Sequence, residues 1–170
     1  ENNLGLNFTH EEDNYIDFNR QKLIPYQISD RGPGVAIGDL NNDGKDDVYF
    51  GSSKFKTPKV YVQGDSQFNE QIIKTIYKDS ITEDVEAIIA DFNGDSINDI
   101  IIGTGGGDFF NNMPPLLDKY YSQNNKHYLK EDFPAYFENA NVIKAFDYDL
   151  DGDLDLFIGN NAVSNDFGNI

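Results

Sequence analysis

The chain has 170 residues, enough for one domain or a few small repeated units. Lys+Arg 13 against Asp+Glu 30 leave a formal net charge of -17, which argues against a nucleic-acid backbone or an anionic membrane surface as partner. Cysteine is absent, which excludes disulfides, thiolate metal sites and a cysteine nucleophile, and no apolar run approaches the roughly 18 residues of a spanning helix.

Residues 1–33 read as an extended segment leading into the first repeat. Val35-Ala36-Ile37 is then a short apolar run, Asp39 to Asp47 (DLNNDGKDD) an acidic loop, and Val48-Tyr49-Phe50-Gly51 a second apolar run. Pro58 to Gln63 and Gln67 to Ile73, joined by a Gly64-Asp65 turn, read as an outer hairpin. The same order returns with Ala87 to Ala90, the loop Asp91 to Asp99 (DFNGDSIND), Ile100 to Ile102 and, as the outer hairpin, Tyr120 to Leu129. It returns a third time with Val142 to Phe146, the loop Asp147 to Asp155 (DYDLDGDLD) and Leu156 to Gly159. β-Branched and aromatic runs this short, closed by glycine, fit strands buried on both faces.

The three loops start 52 and 56 residues apart. A period near 50 predicts a repeat array of the propeller type, since one such unit cannot bury its own faces. The expected fold is therefore all-β, made of about three β-propeller blades. The repeats are placed at 34–85, 86–140 and 141–170, the third truncated. This is fewer than the 4 to 8 blades of a closed ring, so a segment of a longer propeller, or one completed by another chain, is expected.

Twelve of the 30 acidic residues fall in the 27 positions of the loops. Such crowding calls for a cation. Oxygen side chains at loop positions 1, 3, 5 and 9, a backbone carbonyl at 7 and a turn residue at 6 can wrap one hard ion, and Ca2+ takes 6 to 8 oxygens. The candidate ligands are Asp39, Asn41, Asp43, the carbonyl of Lys45 and Asp47; Asp91, Asn93, Asp95, the carbonyl of Ile97 and Asp99; and Asp147, Asp149, Asp151, the carbonyl of Asp153 and Asp155. Up to three calcium ions are expected. The third loop has the most carboxylates and should bind tightest, whereas the second has Ser96 where the turn favours glycine and should bind weakest. The side chains of Asp46 and Asp153 are expected to face water. An EF-hand would need Glu at position 12, where Phe50, Ile102 and Ile158 stand.

The succession of strand, DxDxDGxxD loop, strand and glycine resembles the FG-GAP/VCBS repeat of integrin-α-like β-propellers. Phe8-Thr9-His10, Asp17-Phe18, Leu23-Ile24-Pro25, Ser29 to Gly34 and Asp118 to Tyr121 more narrowly resemble the ASPIC/UnbV group of VCBS-repeat proteins. The resemblance implies a roughly seven-bladed ring in a secreted or surface-anchored protein, with calcium stapling the hairpin between a blade's first two strands.

Neither histidine, His10 or His127, sits in a catalytic motif, and His10 reads as packing. The glycine run 103–107 reads as a turn, without the Lys and Ser/Thr of a phosphate loop. The expected role is a non-enzymatic binding or adhesion scaffold for a glycan or an extracellular protein. A propeller enzyme acting on polysaccharide and a purely structural array are the alternatives. Loop 104–117, and Phe109, Phe110, Tyr120, Tyr121 and Tyr136 as exposed aromatics, are the candidate contact surface.

Overall fold

A computed structural model describes residues 4–106, 109, 111–124 and 127–162. Within them the chain is built on ten strands in three antiparallel sheets. The first sheet runs β1 (Val35–Gly38), β2 (Asp47–Phe50), β3 (Lys59–Gln63) and β4 (Phe68–Gln71), each strand beside the next. The second repeats that order with β5 (Glu83–Ala90), β6 (Asp99–Gly105), β7 (Lys119–Asn124) and β8 (His127–Glu131). The third pairs β9 (Asn139–Phe146) with β10 (Asp155–Ala162). The strands β1, β5 and β9 lie against one another in turn, so the first strands of successive sheets are neighbours, as in consecutive propeller blades.

The strands occur where the apolar runs fall, and both outer hairpins form. β5 and β9 open at Glu83 and Asn139, upstream of the repeat boundaries expected at 86 and 141. One helical turn, α1 (Lys74–Tyr77), follows β4 and drives Ile76 into the core beside Ile73. Four residues are too few to show helical periodicity in sequence.

The main apolar cluster lies between the first two sheets and includes Tyr49, Val60, Ile100, Ile102 and Tyr121. β6 is covered on both faces: Ile100 and Ile102 join that cluster, while a Cβ on Gly103 would meet Ala140 and Ile143 of the third sheet at 2.8 and 2.9 Å. Glycine is needed there because the sheets approach too closely for a side chain. Double-sided burial does not extend to the outward faces of the first and third sheets. Val35 and Ile37 of β1 and Phe157 of β10 are exposed, because these faces have no neighbouring sheet among the described residues.

The N-terminal segment wraps the first sheet. Leu4 O accepts the Phe68 N–H at 2.7 Å on the outermost strand, and Asn7 O accepts the Tyr61 hydroxyl at 2.8 Å. Phe8 stacks on Phe50 with ring centroids 4.4 Å apart. This covers the β4 edge, which would otherwise offer free N–H and C=O groups for strand pairing. Further on, buried Asp17 accepts Ile28 N–H, Ser29 N–H and Ser29 Oγ–H, closing the turn that follows it. His10 rests against Gly32 and contacts Glu12 at 2.5 Å, consistent with its reading as a packing residue.

Candidate functional site

Each acidic loop joins the first two strands of a sheet. Its ninth residue pairs across the hairpin: Asp47 with Gly38, Asp99 with Ala90 and Asp155 with Phe146. The three loops share one hydrogen-bond pattern. The sixth N–H, of Gly44, Ser96 and Gly152, donates to Oδ2 of Asp39, Asp91 and Asp147 at 2.7, 2.8 and 3.1 Å. The seventh N–H, of Lys45, Ile97 and Asp153, donates to Oδ1 of Asp43, Asp95 and Asp151 at 3.0, 2.8 and 3.1 Å. The second N–H, of Leu40, Phe92 and Tyr148, donates to Oδ2 of Asp47, Asp99 and Asp155 at 2.9, 3.4 and 2.8 Å.

Backbone conformation explains the pattern. Positive φ occurs at the fourth and sixth positions of every loop: 60° and 82° at Asn42 and Gly44, 75° and 67° at Gly94 and Ser96, 63° and 99° at Leu150 and Gly152. Left-handed residues spaced this way gather backbone N–H groups into a concavity that holds an anionic oxygen, here the first aspartate. The fourth-position requirement escaped sequence analysis because its three residues share no chemistry. Asn42 and Gly94 suit it, whereas Leu150 costs roughly 1 kcal/mol, as Ser96 does at the sixth position. The second and third loops thus each carry one unfavourable residue.

In the third loop Asp147, Asp149 and Asp151 each offer a carboxylate oxygen, all within 4.8 Å of one another. Among the described residues this is the one such acidic group; the first and second loops have Asn41 and Asn93 at the third position. Asn41 Oδ1 and Asp147 Oδ1 are buried without a hydrogen-bond partner. Orphaned oxygens in an acidic loop fit a hard divalent cation, which would satisfy them.

The ninth carboxylates also tie the loop to the sheet. Asp47 and Asp99 are fully buried, and their Oδ1 atoms accept the N–H of Gln63 and Gln123 on the third strand at 2.8 and 2.9 Å. Burial pushes both carboxyls above their ordinary range, while these N–H groups pull them back. Tyr120 donates to Asp99 Oδ2 at 2.8 Å, and burial, then that bond, hold its hydroxyl far above the usual range. Asp46 and Asp153 are exposed as expected. The Asp153 carboxyl is raised by its hydrogen bond to Asp151, then by the charges of Asp151, Asp155 and Asp149.

Residues 39–102 match the FG-GAP-like repeat family. This stretch is an FG-GAP-like repeat. It takes in the first loop, the strands that follow it in the first sheet and the second loop as far as Ile102, so two of the three loops that share the geometry lie within the match and the third lies beyond it. No curated protein matches the chain.

The expected contact surface needs correction. Phe109 is 5% exposed beneath Lys54, whose Nζ lies 4.7 Å from the ring centroid, and Tyr121 is fully buried. Tyr120 is half-buried, Tyr136 is exposed, and Phe110 lies outside the described residues. Loop 104–117 also buries Leu116, so two of its apolar side chains, Phe109 and Leu116, pack rather than project. Aromatic residues in a short stretch do not declare which face a neighbouring sheet will cover.

Proposed function

We infer that the chain is a calcium-stapled propeller segment that serves as a binding scaffold outside the cell. The observation that carries this reading is the shared backbone and hydrogen-bond pattern of three loops, with the close oxygens of Asp147, Asp149 and Asp151. Calcium in these loops would brace the innermost hairpins and offset carboxylate repulsion. Its role is structural: it holds the blades that present a glycan or protein ligand site.

FG-GAP-like repeats are generally non-catalytic and commonly extracellular, which supports a scaffold over an enzyme. No helix among the described residues is long and apolar enough to cross a membrane. Native mass spectrometry in calcium and in magnesium tests the reading. Up to three calcium ions should bind, fewer by one in each of Asp43→Ala, Asp95→Ala and Asp151→Ala; no bound calcium would refute it. Scaffold function is tested separately by binding to a panel of glycans with calcium and with EDTA, where calcium-dependent capture is expected.

A further inference from the structure

The first and second loops are physically joined. Asn98, the eighth residue of the second loop, donates from Nδ2 to the Asp39 carbonyl of the first loop at 2.8 Å. Gln123 on β7 donates its N–H to Asp99 Oδ1 at 2.9 Å, and its Nε2 donates to the Leu40 carbonyl at 2.5 Å. Leu40 N–H in turn donates to Asp47 Oδ2 at 2.9 Å. One line of hydrogen bonds therefore runs from the ninth carboxylate of the second loop to the ninth carboxylate of the first. It is shielded from water: Gln123 and Leu40 are each 4% exposed, and Tyr128 adds a second donor to the Leu40 carbonyl at 3.1 Å.

We propose that Asn98 and Gln123 are positioning residues of the first cation loop, supplied by the second sheet, and that the first two loops bind calcium as a positively coupled pair. The proposal rests on the calcium reading above. Ordering the second loop fixes Asn98 and Asp99, and these hold the Asp39-Leu40 peptides from which the first loop springs. The ordering cost of the first loop is then already met in part. Charge alone works in the opposite direction, since a divalent cation in one loop lowers the negative potential at the other. Positive coupling is thus the signature of the hydrogen-bonded link. The third loop has Leu154 at its eighth position, which has no donor for the Asp91 carbonyl.

Amide resonances give each loop its own reporter, because the N–H groups of Gly44, Gly94 and Gly152 donate to Asp39, Asp91 and Asp147. The experiment is a CaCl2 titration of the full chain followed at these three glycines. Asp95→Ala, which disables the second loop, should raise the Kd read at Gly44 about fivefold or more. Asp43→Ala should raise the Kd at Gly94 by the same factor, as linkage requires. Asp151→Ala should abolish the Gly152 response without moving the Gly44 constant. In an Asn98→Ala background, Asp95→Ala should have a smaller effect at Gly44, and adding Gln123→Leu should remove it. An unchanged or lower Kd at Gly44 in Asp95→Ala would overturn the coupling and leave the calcium reading intact. Absence of any response at all three glycines would overturn both.

Discussion

The third strands of the first two sheets carry the same Lys-x-Tyr-x-Gln pattern, at Lys59-Tyr61-Gln63 and Lys119-Tyr121-Gln123, in different surroundings. In the second sheet the pattern faces the first. Lys119 is buried and pairs with buried Asp84 at 2.9 Å, Asp84 also accepts the Tyr49 hydroxyl at 2.8 Å, and Tyr121 donates to Asp79 at 2.7 Å. In the first sheet the N-terminal segment takes up part of that role. Asn7 O receives the Tyr61 hydroxyl, and Lys59 pairs with Glu70 with both side chains about a third exposed. A repeated sequence fixes strand and register, but the neighbouring sheet decides whether the same lysine is an interior charge or a surface one.

The sharpest way to break this comparison is to remove both lysines in turn. Lys119→Met leaves Asp84 buried without its cation and should cost about 3–5 kcal/mol, whereas Lys59→Met should cost about 0–1 kcal/mol, measured by urea unfolding. Adding Asp84→Leu to Lys119→Met should recover much of the loss, since the unpaired charge is then gone. Equal costs at the two lysines would show that Lys119 and Asp84 do not form a buried pair.

The N-terminal segment also acts on the buried side of the comparison. Glu83, beside Asp84, is pushed up to about 9 by burial and then by the charges of Glu12, Asp13 and Asp30. A carboxyl with a raised folded pKa stabilises below its unfolded value, 4.5, and loses that contribution as pH rises toward about 9. Between those limits the parent should lose up to about 1.4 kcal/mol per pH unit relative to Glu83→Gln. Parallel pH profiles for the two proteins would refute the assignment.

Smaller effects separate the loops. Leu150→Gly and Ser96→Gly should each stabilise by up to about 1 kcal/mol, because both residues hold a positive φ that glycine adopts freely. Asn42→Gly should do less, since asparagine tolerates that conformation. Chemical denaturation of the three variants under one condition checks the order.

Much of this architecture was legible in the chain. Oxygen residues at positions 1, 3, 5 and 9 and a bend at 6 are local requirements, so they mark all three loops, and their apolar flanks mark the strands. Contacts between residues distant in the chain were not legible. Lys119 meets Asp84 across 35 residues, and Asn98 reaches Asp39 across 59, with nothing in either neighbourhood to signal the partner. Phe109 and Tyr121 were misplaced for the same reason: their burial depends on neighbours distant in sequence.

The central claim is that the three loops are calcium staples. Thermal unfolding of the full chain in EDTA, in about 10 mM calcium and in about 10 mM magnesium, the calcium being roughly 100 times a Kd near 0.1 mM, tests it most directly. The account predicts a calcium-selective stabilisation of roughly 2.7 kcal/mol for each site filled at that excess, diminished in Asp43→Ala, Asp95→Ala and Asp151→Ala. Identical unfolding in all three solutions would contradict it.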